Sequence, residues 1–495
     1  MLVIKYRHSF QVRLVLALLC GTAMPFAFSP YDFKWIASIA LAIWLATLLR
    51  GQAFWMGLAF GFGWFGLGSW WLADTLHTFA PMPYGLALMV MLPMGFVMGC
   101  FPAIWAWLCV RFQHRIPILY LFPALAVLIE WLRGFVFTGL PWTSLGTLIL
   151  DTPAVGWALW VGVYGAAFIP ALLACCVYFL VMWFQRGGKK WRVEACCVLA
   201  FSCVVLIGSP DAHKPEGERY RVALVQPNIA QDQKWDATFL EQSLQRLISL
   251  SAEYVADVDL VVWPESAVPF YPKEALSWDA WLRSEMEPWQ KPVIFGGLSQ
   301  VGTISYNGAY LQKPDVPVRD FVGKQHLVPF GEYVPDWVPF LKKMVQTIGN
   351  FQPYEGSVTF QYKDVLYGPL ICYESLFPEL TRKRVLAGAQ VLVNVTNDAW
   401  YGDSPAAWQH LQAIRMRAVE SGRYVLRAAN TGVTGIISPD GSMNHIPWFT
   451  AGVFVGEFQL SDRITPYQRF GNWLLLLLLI PIFWFMFYAF RQHDA

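Results

Sequence analysis

Residues 365–375 read VLYGPLICYES, an apolar run that stops at Cys372 and gives way to polar residues. A run of this length ahead of a helical pattern over about 376–388 predicts a buried strand passing into a helix. The alternation recurs outward in both directions. RVALVQPNI (221–229), DLVVWPES (259–266), PVIFGGLSQ (292–300) and SYNGAYLQ (305–312) predict strands on one side. QVLVNVTNDAW (390–400), YVLRAANTGVTGIISP (424–439) and VFVGEFQL (453–460) predict strands on the other. FLEQSLQRLISLSAEYV (239–255) and AAWQHLQAIRMRAVESG (406–422) have helical spacing. Strands that are apolar throughout and interleaved with helices imply sheets covered by helices, an α/β domain.

The remainder of the chain is of another kind. The 495 residues are 56% hydrophobic and 14% charged, with a mean hydropathy of +0.41. An ordinary soluble domain carries about 25% charged residues. Residues 10–208 are almost continuously apolar, 210–468 are mixed, and 472–490 (NWLLLLLLIPIFWFMFYAF) are apolar again. The net charge of +2 offers no basic field for nucleic acid. The expected fold class is a polytopic α-helical membrane bundle of eight spans plus an exported α/β domain. The expected domains are 1–209 (seven helices), 210–468 (exported domain) and 469–495 (closing helix and short tail).

A membrane-crossing helix needs roughly 20 apolar residues. Spans are expected near 13–28, 33–49, 53–73, 84–110, 117–138, 157–185, 193–208 and 472–490. Gly57, Gly61, Gly63, Gly66 and Gly68 suggest close helix packing in the third, and Pro93 and Pro102 suggest kinks in the fourth. Lys5, Arg7, Arg13, Arg50, Arg111, Arg115, Arg186, Lys189, Lys190, Arg192 and Arg491 all fall on one side of this layout. The opposite loops hold Lys34, with Arg133 near a span end. By the positive-inside rule both termini are cytoplasmic and residues 210–468 lie outside. A cleaved leader over 1–28 is disfavoured, since MPFAFSP is a poor small-residue cleavage site and more spans follow at once.

Eight of the nine cysteines fall in these spans, so Cys372 is alone in the exported domain. An unpaired thiol in an oxidising compartment is a liability, which leaves a buried core thiol and a nucleophile as the two readings. Glu265 ends DLVVWPE, and Lys324 sits in DFVGKQHLVPFGEYVP. A thiol near pKa ~8.5 needs a base to ionise at neutral pH, and a desolvated carboxylate serves. A neighbouring lysine lowers the thiol pKa and stabilises an oxyanion. Glu, Lys and Cys thus form a complete set for acyl transfer through a thioester, although each alone also fits a solvated or structural role. His326, His410 and His445 lack metal-site spacing, and no glycine-rich phosphate loop occurs, so neither a metal nor a cofactor is expected. DWVPFLKKMVQTIGNF (336–351) reads either as a surface arm dipping into the bilayer interface or as a helix packed on its own domain.

WPESAVP with Glu265, GKQHLVPFGEYVP with Lys324 and ICYESLFPE with Cys372, in that order, resemble the nitrilase superfamily. Together with the apolar segments and NVTNDAWYG (394–402), the chain resembles the apolipoprotein N-acyltransferase family of bacterial inner membranes over nearly its whole length. The resemblance implies an αββα sandwich in the periplasm and eight transmembrane helices. It implies a ping-pong reaction with Glu265 as base, Lys324 as oxyanion stabiliser and Cys372 as nucleophile. The acyl donor would be the sn-1 chain of a phospholipid, with phosphatidylethanolamine expected. The acceptor would be the α-amino group of a diacylglyceryl-cysteine apolipoprotein. By the same resemblance the Tyr373 N–H is a second oxyanion donor, Glu332 assists the triad, and Tyr373 and Glu374 flank the nucleophile. Trp235 would belong to a loop near the lipid entrance, and Gly139 and Trp142 to an outer loop between spans five and six. For both tryptophans interfacial anchoring is the alternative. A monomer is expected. Two other functions fit the same residues: a membrane-tethered nitrilase-type amidase, and a lipid transporter or scaffold with a degenerate domain.

Overall fold

The computed structural model describes residues 9–79, 82–212, 214–314, 316–335, 351–473, 475–477, 479–481 and 483–484. The chain forms two compact units, Met1–Asp211 with Asp403–Gln412 and Phe470–Ala495, and Ala212–Gly402 with Ala413–Arg469. Residues 403–412 thus group with the helices although they lie midway through the α/β part of the sequence. The expected arm over 336–351 falls, but for Phe351, outside the described residues.

The first unit is built of helices α1 (Phe10–Ala23), α2 (Trp35–Leu48), α3 (Ala53–Gly68), α4 (Trp71–Phe79), α5 (Tyr84–Phe112), α6 (Ile118–Arg133), α7 (Ala158–Ala166), α8 (Phe168–Arg186) and α9 (Lys189–Ile207). Its core is aromatic: the Trp44 ring stacks on Phe60 at 4.3 Å and meets Trp105 edge-on at 5.0 Å. The α3 glycines permit backbone contact. A Cβ on Gly57 would stand 2.4 Å from Pro102 O, and one on Gly63 would stand 2.6 Å from Leu18 O. Gly66 has open space around it, so the expected glycine seam covers only part of the helix. Helix α5 continues through both Pro93 and Pro102.

Among the described residues three helices, not eight, are long and apolar enough to cross a membrane: Phe10–Ala27, Tyr84–Phe112 and Phe168–Arg186. The difference has local causes. Helices α2 and α3, at 14 and 16 residues, rise about 21–24 Å at ~1.5 Å per residue, short of the ~30 Å hydrocarbon core. The expected span 157–185 is broken at Gly162 (φ 64°), where α7 kinks ahead of α8. Helix α6 carries Glu130 and Arg133, and α9 opens with Lys189, Lys190, Arg192 and Glu194. The span expected over 472–490 lies partly outside the described residues.

The second unit holds two six-stranded sheets. The first has β1 (Arg219–Gln226), β2 (Leu260–Val262), β3 (Val293–Val301), β4 (Ile304–Gln312) and β5 (Asp320–Gly323), and the second begins with β6 (Phe360–Tyr362) and β7 (Val365–Ile371). The rest of the second are β8 (Val391–Thr396), β9 (Val425–Ala429), β10 (Gly435–Ile437) and β11 (Met443–His445), while β12 (Gly452–Gln459) returns to the first. The orders are β12-β1-β2-β3-β4-β5 and β11-β10-β9-β8-β7-β6. Each has three parallel strands at its centre, β1, β2 and β3 in one and β7, β8 and β9 in the other, with antiparallel strands outside.

Val222, Leu224, Leu260 and Val262 of the first sheet pack against Val391, Val393, Val395 and Leu426 of the second. The opposite face of the first sheet, with Ala223, Val225 and Val261, meets Leu244 and Leu247 of α11 (Leu240–Ala252), and Leu282 and Met286 of α12 (Leu276–Met286). The short α10 (Gln231–Lys234) precedes α11, and α13 (Pro378–Leu386) lies against β7. Helix α14 (Pro405–Ser421) follows β8. Strands covered on both faces have no polar side, which is why they read as unbroken apolar runs. The stretch 424–439 is two antiparallel strands rather than one, turned at Asn430–Thr434, where Asn-Thr-Gly supplies turn chemistry. Strands β5, β6 and β11 and helix α12 were not expected from the sequence.

Candidate active site

Glu265 lies three residues past β2, Lys324 directly past β5 and Cys372 directly past β7. The carboxyl ends of sheet strands are where α/β sites gather, because the loops there converge above a rigid sheet. All three side chains are buried, with Lys324 only 1% exposed and Cys372 6%.

Lys324 Nζ donates to Glu332 Oε1 at 2.9 Å and stands 3.7 Å from Glu265 Oε1. Asn307 ties the two carboxylates together. Its Nδ2 donates to Glu265 Oε1 at 3.0 Å and to Glu332 Oε1 at 2.8 Å, and its carbonyl accepts from the Lys324 N–H at 2.8 Å. The other oxygen of Glu332 accepts from Val328 N–H at 2.8 Å. Glu332 therefore fixes both the lysine and the loop that follows it. Burial disfavours the charge on Lys324, but Glu332 and then Glu265 outweigh it and hold the ammonium above the ordinary lysine range.

Cys372 opens a 3₁₀ turn, Cys372–Leu376, with φ at +49°. A left-handed non-glycine residue costs about 1–2 kcal/mol and needs support from its surroundings. Glu374, fully buried, provides it. Its Oε2 accepts from Ile371 N–H at 2.9 Å and from Arg384 Nη2 at 2.8 Å, while its Oε1 accepts from Gln325 N–H at 2.7 Å. One carboxylate thus joins the residue before the thiol, the residue after the lysine, and α13. Burial pushes the Cys372 thiol up, Glu265 adds to this, and Lys324 opposes it, for a net rise. The resting side chain at neutral pH is the thiol, so a base must remove its proton as it reacts.

Tyr373 is buried, its ring 5.1 Å from Phe377 and 5.8 Å from His326. Trp235 is 48% exposed. Its neighbour Lys234 is buried, and Lys234 Nζ donates to the Glu265 main-chain carbonyl at 2.7 Å. Gly139 (φ 84°) and Trp142 belong to the first unit. Trp142 is 4% exposed, donates through Nε1 to Gln409 Oε1 at 2.6 Å, and has its ring 5.9 Å from His410. Arg133 Nη1 donates to the carbonyls of Leu140 at 2.7 Å and Trp142 at 2.6 Å, while Nη2 pairs with Glu130 at 2.9 Å, so a buried ion pair holds the Trp142 loop.

Asn307 and Lys234 were missed in the sequence. Asn307 sits mid-strand in SYNGAYLQ, where a polar residue inside an apolar run was the available signal. Lys234 lies in the polar stretch QDQKWD, which carries none.

A buried Glu, Lys and Cys at strand ends of a two-sheet sandwich define a carbon–nitrogen hydrolase domain, and residues 221–466 match the Carbon-nitrogen hydrolase family. Residues 20–176 match the family described as Apolipoprotein N-acyltransferase N-terminal domain. The chain belongs to the apolipoprotein N-acyltransferase family. It is 34% identical over 476 residues to the Apolipoprotein N-acyltransferase of Geobacter metallireducens, covering 92% of this chain and 91% of that one. It is 35% identical over 488 residues to that of Ralstonia nicotianae, covering 92% and 90%. Among solved structures, an amidase from Nesterenkonia sp. aligns with 51% of this chain and 94% of its own, at 18% identity and a TM-score of 0.38. By its family membership the chain is a membrane protein with a carbon–nitrogen hydrolase domain suited to acyltransferase chemistry.

Proposed function

We propose that this protein moves an acyl chain from a phospholipid to the α-amino group of a diacylglyceryl-cysteine apolipoprotein through a thioester on Cys372. The observation that carries the reading is the buried Glu265–Lys324–Glu332 cluster beside Cys372 in a chain that also carries apolar membrane helices. Glu265 takes the thiol proton as sulfur attacks the ester carbonyl. The carbonyl oxygen becomes an oxyanion, met by Lys324 and the Tyr373 N–H. As the C–O bond breaks, Glu265 returns the proton to the departing lysophospholipid oxygen, leaving the thioester. The acceptor amine then attacks the thioester. Glu265 takes the amine's proton and passes it to the departing sulfur, and an amide is formed.

Exposing an acyl chain to water costs ~0.8 kcal/mol per CH₂, so both substrates stay with the bilayer and the enzyme must come to them. We assign the chain to a bacterial inner membrane, oriented by its distribution of basic residues. Both termini are assigned to the cytoplasm and residues 210–468 to the periplasm. Trp235, Gly139 and Trp142 are assigned to substrate binding, phosphatidylethanolamine is the expected donor, and the enzyme works as a monomer without a cofactor.

Intact mass of the purified protein after exposure to phospholipid tests the reading. An acyl adduct mapping to Cys372, discharged by a diacylated lipopeptide, is the expected result. An adduct elsewhere, or none, overturns it. Release of free fatty acid without lipopeptide acylation assigns the chain to the amidases.

A further inference from the structure

The segment from Asn228 to Trp235 is tied down by Asn397 and Asn430, the residues just past β8 and β9. Ile229 N–H donates to Asn430 Oδ1 at 3.1 Å, and Asn430 Nδ2 donates to Ile229 O at 2.8 Å and to Asn397 Oδ1 at 3.1 Å. Asn397 Nδ2 in turn donates to Gln231 Oε1 at 2.7 Å. These bonds deliver Lys234, the last residue of α10, into the protein, where it is 5% exposed and donates to Glu265 O. The charged or ionisable groups that face it are Glu265 and Cys372, while Asp232 on its own segment is exposed.

A buried ammonium is a costly way to hold a main-chain carbonyl. A neutral amide would donate the same hydrogen bond without the desolvation penalty of a charge. The charge therefore calls for a use of its own, and the groups within its reach are the base and the nucleophile. We propose that Lys234 is a positioning residue that fixes Glu265 through its main chain and supplies a second positive charge favouring the Cys372 thiolate as it forms. This rests on the reading of Cys372 as the nucleophile. Burial lowers the Lys234 pKa to about 8, with Glu265 and Cys372 pulling the other way. The charge is thus present at pH 7 and gone by pH 10.

The test is the rate of Cys372 alkylation by iodoacetamide in the detergent-solubilised full chain, read by peptide mass, for native protein, Lys234→Met and Lys234→Arg. Losing a nearby cation raises a thiol pKa by about one unit, and each unit is a tenfold loss of thiolate. Lys234→Met is expected to react about tenfold more slowly than native at pH 7, and the ratio should fall toward one by pH 10 as the native lysine loses its proton. Lys234→Arg is expected to keep the native rate at pH 7. Equal rates for native and Lys234→Met at pH 7, a ratio flat from pH 7 to 10, or equal slowing in both variants would overturn the proposal. The assay uses no lipid, so a missing acyl adduct with an intact alkylation effect counts against the acyl-transfer reading alone. The converse counts against Lys234 alone.

Discussion

Glu332 accepts from Lys324, Asn307 and Val328, so one carboxylate serves three donors from different positions in the chain. Glu332→Gln removes the nearer of the two carboxylates that pair with the buried Lys324 ammonium. It is expected to destabilise the domain by on the order of 3 kcal/mol and to cut acyl transfer at least a hundredfold, read by urea unfolding and turnover. The two lysines carry opposite pH signatures. Lys324 is held above its ordinary value, so its stabilising pairs are fully present below the unfolded pKa of ~10.4 and are lost only as pH rises through the folded value. It contributes no slope between pH 6 and 9. Lys234 is depressed to about 8, so the unfolded chain binds more protons between roughly pH 8 and 10.4 and stability rises with pH there. Lys234→Met should therefore be more stable than native at pH 7, by on the order of 1–3 kcal/mol, with the gain fading by pH 10. A thermal midpoint unchanged or lowered at pH 7 would contradict this. Glu265, Lys324 and Cys372 were legible in the sequence because each closes or follows an apolar run. Asn307 and Lys234 were not, because their bonds to Glu265 cross 42 and 31 residues of chain.

At the scale of elements, β3 and the turn after β2 touch backbone to backbone. A Cβ on Gly296 would stand 2.5 Å from Glu265 Cα and 2.6 Å from Ser266 N. Neither atom can swing aside as a side chain would, so Gly296→Ala must displace Glu265. Misplacing a catalytic group by ~1 Å costs about a hundredfold in rate, and that loss is expected here with far-UV circular dichroism retained. Glu374→Gln acts on three elements at once, leaving Arg384 buried without its carboxylate. A destabilisation of about 3–5 kcal/mol is expected, against little change for Cys372→Ser, compared by chemical unfolding. The central parallel strands were readable because burial on both faces removes polar residues from them. The turn that splits 424–439 was hidden because β9 and β10 are themselves almost wholly buried. The short helices of the first unit were misjudged as spans because apolar composition continues across breaks that only backbone geometry reveals, as at Gly162.

At the scale of the whole molecule, the assigned topology is open to direct labelling. Cysteines introduced as Gln185→Cys and Thr303→Cys replace exposed residues. In cells with a permeabilised outer membrane, an impermeant maleimide is expected to reach position 303 and not 185. Labelling at 185, or none at 303, would reverse the orientation. One further consequence lies in the order of the first sheet. Strand β1 pairs on one side with β2 and on the other with β12, so that Arg219 meets Gln459. The first strand to leave the ribosome cannot complete its pairing until the last one has been made. Asn430, which ties down the Lys234 segment, also arrives some 200 residues after its partner Ile229, the two lying 201 apart. A nascent chain that has already exposed Cys372 still lacks the strands that close the sheet and the asparagine that secures Lys234. On the mechanism proposed above, Cys372 is thus left without its supporting groups during synthesis, and a chain released early would carry an inert thiol.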